Sequence, residues 1–273
     1  MEIAHRFIGG SGRSGTTVLF KALSTHPDCF GILEIQIFSV CVFPLLDGTS
    51  SEKRCRECLD FCLTDRRKHS DELIASWAQR RTEIDATLFT SGIAEAARIR
   101  RLAELVFTVP TVNAGKRTLI EKSPGIVRYA ARMKRALPNA KFINIHRDPR
   151  DVCASMLTKE WGPKTVHNFC DEYVKGMSEA FRDYTSIGHS DYLVVSLERL
   201  IQSPERHIEL LWKFFDLPVH DDLVKAAAAM ITRDGGNLSR WKSDLSTADA
   251  EMINERCGEI TRRWMDVTLA APQ

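Results

Sequence analysis

The 273-residue chain has no excess of charge of one sign: 38 Lys and Arg stand against 36 Asp and Glu, a net charge of +2. It therefore lacks the global field that would draw in nucleic acid or an anionic membrane, and no nucleic-acid partner is expected. Long hydrophobic runs are missing as well. The most apolar stretch, 32–46, is interrupted by Glu34, Gln36 and Pro44 and is too short to span a bilayer. No leader pattern precedes the first apolar run, which starts within two residues of Met1. The chain reads as soluble and cytoplasmic. Internal repeats and low-complexity tracts are also lacking, and the length suits one α/β unit with a sizeable core.

Cysteine is present but shows no metal framework of the usual kind. Cys29, Cys41, Cys153, Cys170 and Cys257 are scattered, as buried reduced thiols are. Cys55, Cys58 and Cys62 with His69 offer four zinc-ligand side chains, yet zinc sites more often present two separated ligand pairs. The i, i+3, i+7 spacing also places the three thiols on one helix face. That is the preferred reading, and no metal is expected.

One further omission is informative. Gly10 and Gly15 bracket four residues, and Thr16 and Thr17 follow, giving G-x-x-x-x-G-T-T. A nucleoside-triphosphate loop has Lys after the second glycine, reaching the β- and γ-phosphates. Here Thr16 takes that place and the cation, Arg13, sits within the loop, which suits a phosphorylated nucleotide without a γ-phosphate. Ile3 to Ile8 reads as a strand, and Val18, Leu19, Ala22 and Leu23 recur at helical spacing. A strand-loop-helix unit aims backbone N–H groups and the positive end of the helix dipole at an anion.

Further strands are expected at Thr118–Lys122, Lys141–His146 and Tyr192–Ser196, and helices at 126–137, after Asp148-Pro149, and after Ser203-Pro204. Residues 47–110 are polar and helix-prone, with Leu73, Ile74, Trp77, Ile84, Leu88 and Phe89 in patchy helical periodicity. The expected fold is a three-layer α/β/α, P-loop-type unit with a mostly parallel sheet and a helical insertion at 47–110. Ligands of such sheets bind at the carboxyl ends of the strands, where the first loop, Lys122 and Arg147 all fall.

Three segments together resemble the sulfotransferases that use 3′-phosphoadenosine 5′-phosphosulfate (PAPS). Gly-Ser-Gly-Arg-Ser-Gly-Thr-Thr, with Leu23 and His26-Pro27-Asp28 following, is similar to their 5′-phosphosulfate loop. His146-Arg147-Asp148-Pro149-Arg150-Asp151-Val152 with Ser155 resembles the 3′-phosphate segment, and Glu121-Lys122-Ser123-Pro124 the segment with an active-site lysine. The resemblance implies that Gly12, Arg13, Ser14, Gly15, Thr16 and Thr17 hold the phosphosulfate and that Arg147 and Ser155 hold the 3′-phosphate. It also implies that Arg233, in a late glycine loop, closes over the donor, and that 3′,5′-adenosine bisphosphate is the product. Arginine forks make strong charge-assisted bonds to phosphate, and sulfuryl transfer needs positioning and charge neutralisation more than covalent chemistry. Loop N–H groups and cations facing the leaving phosphate make magnesium unnecessary.

Lys122 and Arg13 are then the catalytic cations. Aryl and steroid sulfotransferases use a histidine shortly after the lysine, but none follows Lys122 before His146. Glu34, a carboxylate within an apolar run, resembles the glutamate of the Golgi-type carbohydrate and tyrosylprotein branches. Partial burial is expected to raise its pKa toward a useful range. Leu197 stands where many members carry tyrosine. The acceptor is a small molecule, glycan or peptide, with Arg66, Arg67 and Lys68 hinting at an anionic one. A homodimer is compatible with this reading. A P-loop kinase and a non-catalytic nucleotide-binding module are the alternatives.

Overall fold

The computed structural model describes residues 2–234 and 238–268, without the side chains of 232–234. Five short runs form one parallel sheet: β1 (Ala4–Gly10), β2 (Cys29–Leu33), β3 (Thr118–Lys122), β4 (Lys141–His146) and β5 (Tyr192–Ser196), in the order β2-β3-β1-β4-β5. The side chains of each strand alternate between faces, and both faces are covered. Phe7, Leu119, Phe142, Tyr192 and Val194 enter one core, where Phe142 stacks on Phe7 at 5.3 Å. Ile8, Ile120, Ile143, Ile145 and Val195 enter the other.

After β1 come α1 (Thr16–Leu23) and β2, then a π-helical segment, Phe38–Val42, and α2 (Phe43–Leu46). The insertion follows as α3 (Glu52–Thr64), α4 (Asp71–Ala78), α5 (Arg81–Phe89) and α6 (Glu95–Ala103). A second π-helical segment, Glu104–Thr108, and α7 (Val109–Asn113) lead into β3. A 3₁₀ segment, Pro124–Tyr129, and α8 (Ala130–Ala136) precede β4; α9 (Pro149–Met156) and α10 (Val166–Ile187) precede β5. The chain continues through α11 (Leu197–Gln202), α12 (Pro204–Phe214), α13 (Asp221–Asp234), α14 (Trp241–Asp244) and α15 (Thr247–Asp266). Residues of α1, α12 and α13 fill the second core. The first is closed by α8, α10, α15 and the insertion, with Phe181 edge-on to Trp264 at 4.9 Å.

The expected three-layer arrangement is present, with corrections. β2 is absent from the strands expected above, because its exit turns on left-handed Glu34 and Gln36 with no glycine to mark it. The 126–137 helix is divided: Val127 packs against Gly9 so closely that a Cβ there would meet it at 2.6 Å. That segment therefore follows the sheet end as a 3₁₀ turn, and α8 begins only after Tyr129 (φ −125°). The long α15 was also not anticipated. In the insertion, Leu73, Trp77, Ile84 and Leu88 are buried as their spacing suggests, and the Trp77 indole donates to Val106 O at 3.0 Å.

Cys55 and Cys62 face inward from α3, whereas Cys58 is half-buried. Cys41 lies within hydrogen-bonding reach of Cys55 and Cys62, and His69 packs edge-on to Trp77 at 4.9 Å. The four zinc-ligand side chains are thus not convergent, and no metal-holding group of His, Cys, Asp or Glu occurs among the described residues. No helix among them is long and apolar enough to cross a membrane.

Candidate active site

β1 is the central strand, and the chain passes to β3 on one side of it and β4 on the other. This is the crevice position at which open parallel sheets bind ligands. The loop leaving β1 is specified by its glycines. Gly10 (φ +150°) would carry a Cβ only 2.2 Å from Ile145 O, and Gly15 (φ +93°) one 2.6 Å from a Leu197 methyl. Arg13, between them, is itself left-handed at φ 68°. The Ser14 hydroxyl points into the protein, 2.6 Å from Ser11 O and 2.9 Å from Ile145 O, and so ties the loop to β4. α1 has no side-chain N-cap and no acidic residue in its first turn, so its first N–H groups face the mouth of the crevice with no competing anion.

One cluster lies on the β3 side. The Lys122 side chain is 0% exposed. Its ammonium donates to Thr17 Oγ1 at 2.9 Å and makes a short contact with Glu34 Oε1. Glu34 leaves β2 with φ 51°, its N–H donates to Lys122 O at 2.6 Å, and Oε2 is 3.4 Å from Lys68 Nζ. Burial pushes the Glu34 carboxyl upward, but the hydrogen bond and charge of Lys122, joined by Lys68, outweigh it and hold the group below its ordinary value. The expected upward shift is therefore corrected. Burial pulls the Lys122 ammonium down despite Glu34. The difference follows from exposure: the lysine is fully enclosed, while the carboxylate keeps a quarter of its side-chain surface.

The second cluster lies on the β4 side. The Asp148 carboxylate caps α9 through Arg150 N, and Pro149 takes the first turn, as read from the sequence. Arg147 is 7% exposed. Its guanidinium lies 3.3 Å from Asp151 Oδ2 and donates to Arg13 O at 3.3 Å. Arg13 Nε in turn donates to Ser155 Oγ at 3.0 Å. Arg13 thus adjoins Ser155 and Arg147, while Lys122 is engaged across the loop. Asp151 also accepts from the N–H groups of Ser239 and Trp241 at 2.8 and 3.1 Å. Arg233 lies outside the described side chains.

Two cavities lie near these groups, one beside Glu34 and one against the loop. One, of about 460 Å³, is lined by Glu34, Gln36, Val40, Arg54, Phe61 and Lys68 among others. The other, of about 240 Å³, lies against Gly10–Gly12, with Pro124, Arg128, Met156, Phe169, Glu172 and Tyr173 among its lining. Of the basic run 66–68, Arg66 pairs with Asp71 and Arg67 with Asp65, while Lys68 alone reaches Glu34. Its place at the site was visible in sequence only as one charge in a run of three.

Comparisons with known proteins bear on the family and the fold. A family model described as "Sulfotransferase family" matches residues 6–222, a span containing most of β1, β2 to β5, and Glu34, Lys122, Arg147 and Ser155. Protein-tyrosine sulfotransferase 2 of Gallus gallus is 23% identical over 264 residues, covering 95% of this chain and 62% of its own length. The chain spans 47 to 62% of the length of the curated relatives it matches. Among solved structures, sulfotransferase STF9 from Mycobacterium avium superposes with a TM-score of 0.58 at 14% identity, over 100% of this chain and 79% of its own. Mouse sulfotransferase SULT7A1, complexed with PAP, gives 0.52 at 10% identity over 96% and 84%. These two likenesses are of fold.

Proposed function

The chain belongs to the sulfotransferase family, and from the site we propose that it moves a sulfuryl group from PAPS to an acceptor hydroxyl. The observation that carries this reading is Lys122: a fully buried ammonium held between a hydroxyl of the phosphate-type loop and a carboxylate. The donor supplies the sulfuryl group and departs as 3′,5′-adenosine bisphosphate. Backbone N–H groups of Gly12–Gly15 and the first turn of α1, with Thr16 and Thr17, hold the phosphosulfate. Arg147 and Ser155 hold the 3′-phosphate, and Arg233 closes over the donor.

Lys122 neutralises charge on the bridging oxygen as its bond to sulfur breaks. The acceptor oxygen forms the new O–S bond and gives its proton to Glu34. Arg13, beside the β4 cluster, adds positive charge at the phosphosulfate. The cavity beside Glu34 is the acceptor pocket, closed by the insertion, and the whole chain acts as one catalytic unit. The names of the relatives support a tyrosyl hydroxyl of a peptide or protein as acceptor.

Calorimetric titration tests the donor: 3′,5′-adenosine bisphosphate should bind far more tightly than ATP-Mg. Arg147→Ala should weaken it about 10- to 100-fold, the range of a lost charge-assisted pair, with little change in kcat at saturating donor. Asp151 keeps its two backbone donors in that variant. Tighter binding of ATP-Mg, or no sulfate transferred from PAPS to tyrosyl peptides or simple phenols, would reject the proposed activity.

A further inference from the structure

Glu121 is a buried ionisable group to which the reaction described above gives no part. It precedes Lys122 at the end of β3, so the two side chains take opposite faces of the sheet. Glu121 is 1% exposed, as is Ser123. Its Oε1 accepts a short hydrogen bond from Ser123 Oγ, and its Oε2 has no partner. Ser123 Oγ in turn accepts from the Gln36 N–H at 3.0 Å. A hydroxyl has one proton to give. With that proton directed at Glu121, a lone pair is fixed on the Gln36 N–H.

Gln36 belongs to the strap that carries the base. Glu34 and Gln36 both have left-handed backbones, at φ 51° and 53°, a conformation that non-glycine residues keep only when their surroundings impose it. Two hydrogen bonds fasten the strap to the end of β3: Glu34 N–H to Lys122 O, and Gln36 N–H to Ser123 Oγ. Ile35, between them, is 1% exposed.

We propose that Glu121, acting through Ser123, is a positioning residue that sets Glu34 for proton transfer. This rests on Glu34 being the base.

The surroundings of Glu121 give the inference a pH signature. Lys122 adjoins it on β3 and Ser123 just beyond that strand, Glu34 approaches from the strap, and the remaining lining is Ile35, Ile37, Phe38, Phe107 and Ile126 with Gln36 and Ser39. Burial among these groups pushes the carboxyl up to about 8, against the pull of Ser123 and Lys122. Glu121 is therefore neutral below that pH. Above it, a second negative charge acts through space on the Lys122–Glu34 pair, and kcat should fall.

The test uses the full chain with PAPS and a tyrosyl peptide or phenol that it sulfates. Glu121→Leu, which removes the acceptor of the Ser123 proton, and Ser123→Ala should each lower kcat about 10- to 100-fold, the scale of a misplaced catalytic group, with bisphosphate affinity within about twofold of wild type. Glu121→Gln should move the alkaline limb of kcat upward. Were that limb the deprotonation of Lys122, loss of a neighbouring carboxylate would move it downward instead. A limb that is unmoved or lowered, or a Ser123→Ala enzyme with wild-type kcat, overturns the inference. If the Glu121 variants bind no bisphosphate, Ser123→Ala decides alone. A fully active Glu34→Gln enzyme would instead remove the base on which the inference rests.

Discussion

Lys122→Met is expected to lower kcat by about two to three orders of magnitude without lowering the melting temperature. The first effect follows from position. The ammonium is the one polar end of a fully buried side chain and is aimed at the mouth of the loop beside Thr17. A group preorganised against developing charge in a water-poor site is worth far more there than in bulk solvent. The second effect follows from the sign of its pKa. Burial disfavours the ammonium more than Glu34 favours it, so folding binds this proton more weakly than the unfolded chain does. Removal of the charge relieves that cost, and methionine fills similar volume. The remaining Glu34 keeps Lys68 at 3.4 Å and a partly hydrated carboxylate. Activity and thermal stability, measured on one preparation, should separate cleanly. A variant with wild-type turnover would remove Lys122 from the chemistry.

Glu34→Gln should cost about 10²- to 10⁴-fold in kcat, the range of a lost general base, with donor affinity nearly unchanged. The amide keeps the shape and can still accept from Lys122, but it cannot take the acceptor proton. In the wild-type enzyme, Lys122 and Lys68 hold the Glu34 carboxyl below its ordinary value. A base is active when deprotonated, so kcat/KM, which reports the free enzyme, should not decline as pH falls from 7 to the ordinary carboxylate range near about 4.3. The loss should come only below that range. An acid limb at pH 6 would place another group in this role, and so would near-wild-type turnover by Glu34→Gln.

Much of the scaffold was legible because its signals are local. β3, β4 and β5 are short apolar-rich runs bounded by Pro, Asn or Asp, and their ends fall where the sequence puts them. The glycine loop, the Asp148 cap and Pro149 are equally local. β2 was hidden, because its exit relies on left-handed Glu34 and Gln36, where no glycine marks the turn. The direction of the Glu34 shift was misread for a different reason. Lys122 lies 88 residues away, and only the pairing of β2 with β3 sets the two strand ends side by side. The approach of Lys68 depends on how the insertion folds back, and the contact of Arg13 with Ser155 on how α9 leaves β4. Neither arrangement leaves a mark in local composition.

The position of β1 has a consequence for how the site comes apart. The strand is hydrogen-bonded to a neighbour on each side, and Phe7 and Ile8 are fully enclosed in opposite cores. Releasing its backbone requires breaking both halves of the sheet, which is an opening of the whole molecule rather than of one part. The phosphate-type loop is therefore attached to the segment that opens last. Glu34 directly follows β2, the edge strand beside β3, and hangs from an edge that can fray at lower cost. The donor side should thus persist through partial unfolding that already scatters the base, so loss of catalysis precedes loss of nucleotide binding as the protein is destabilised.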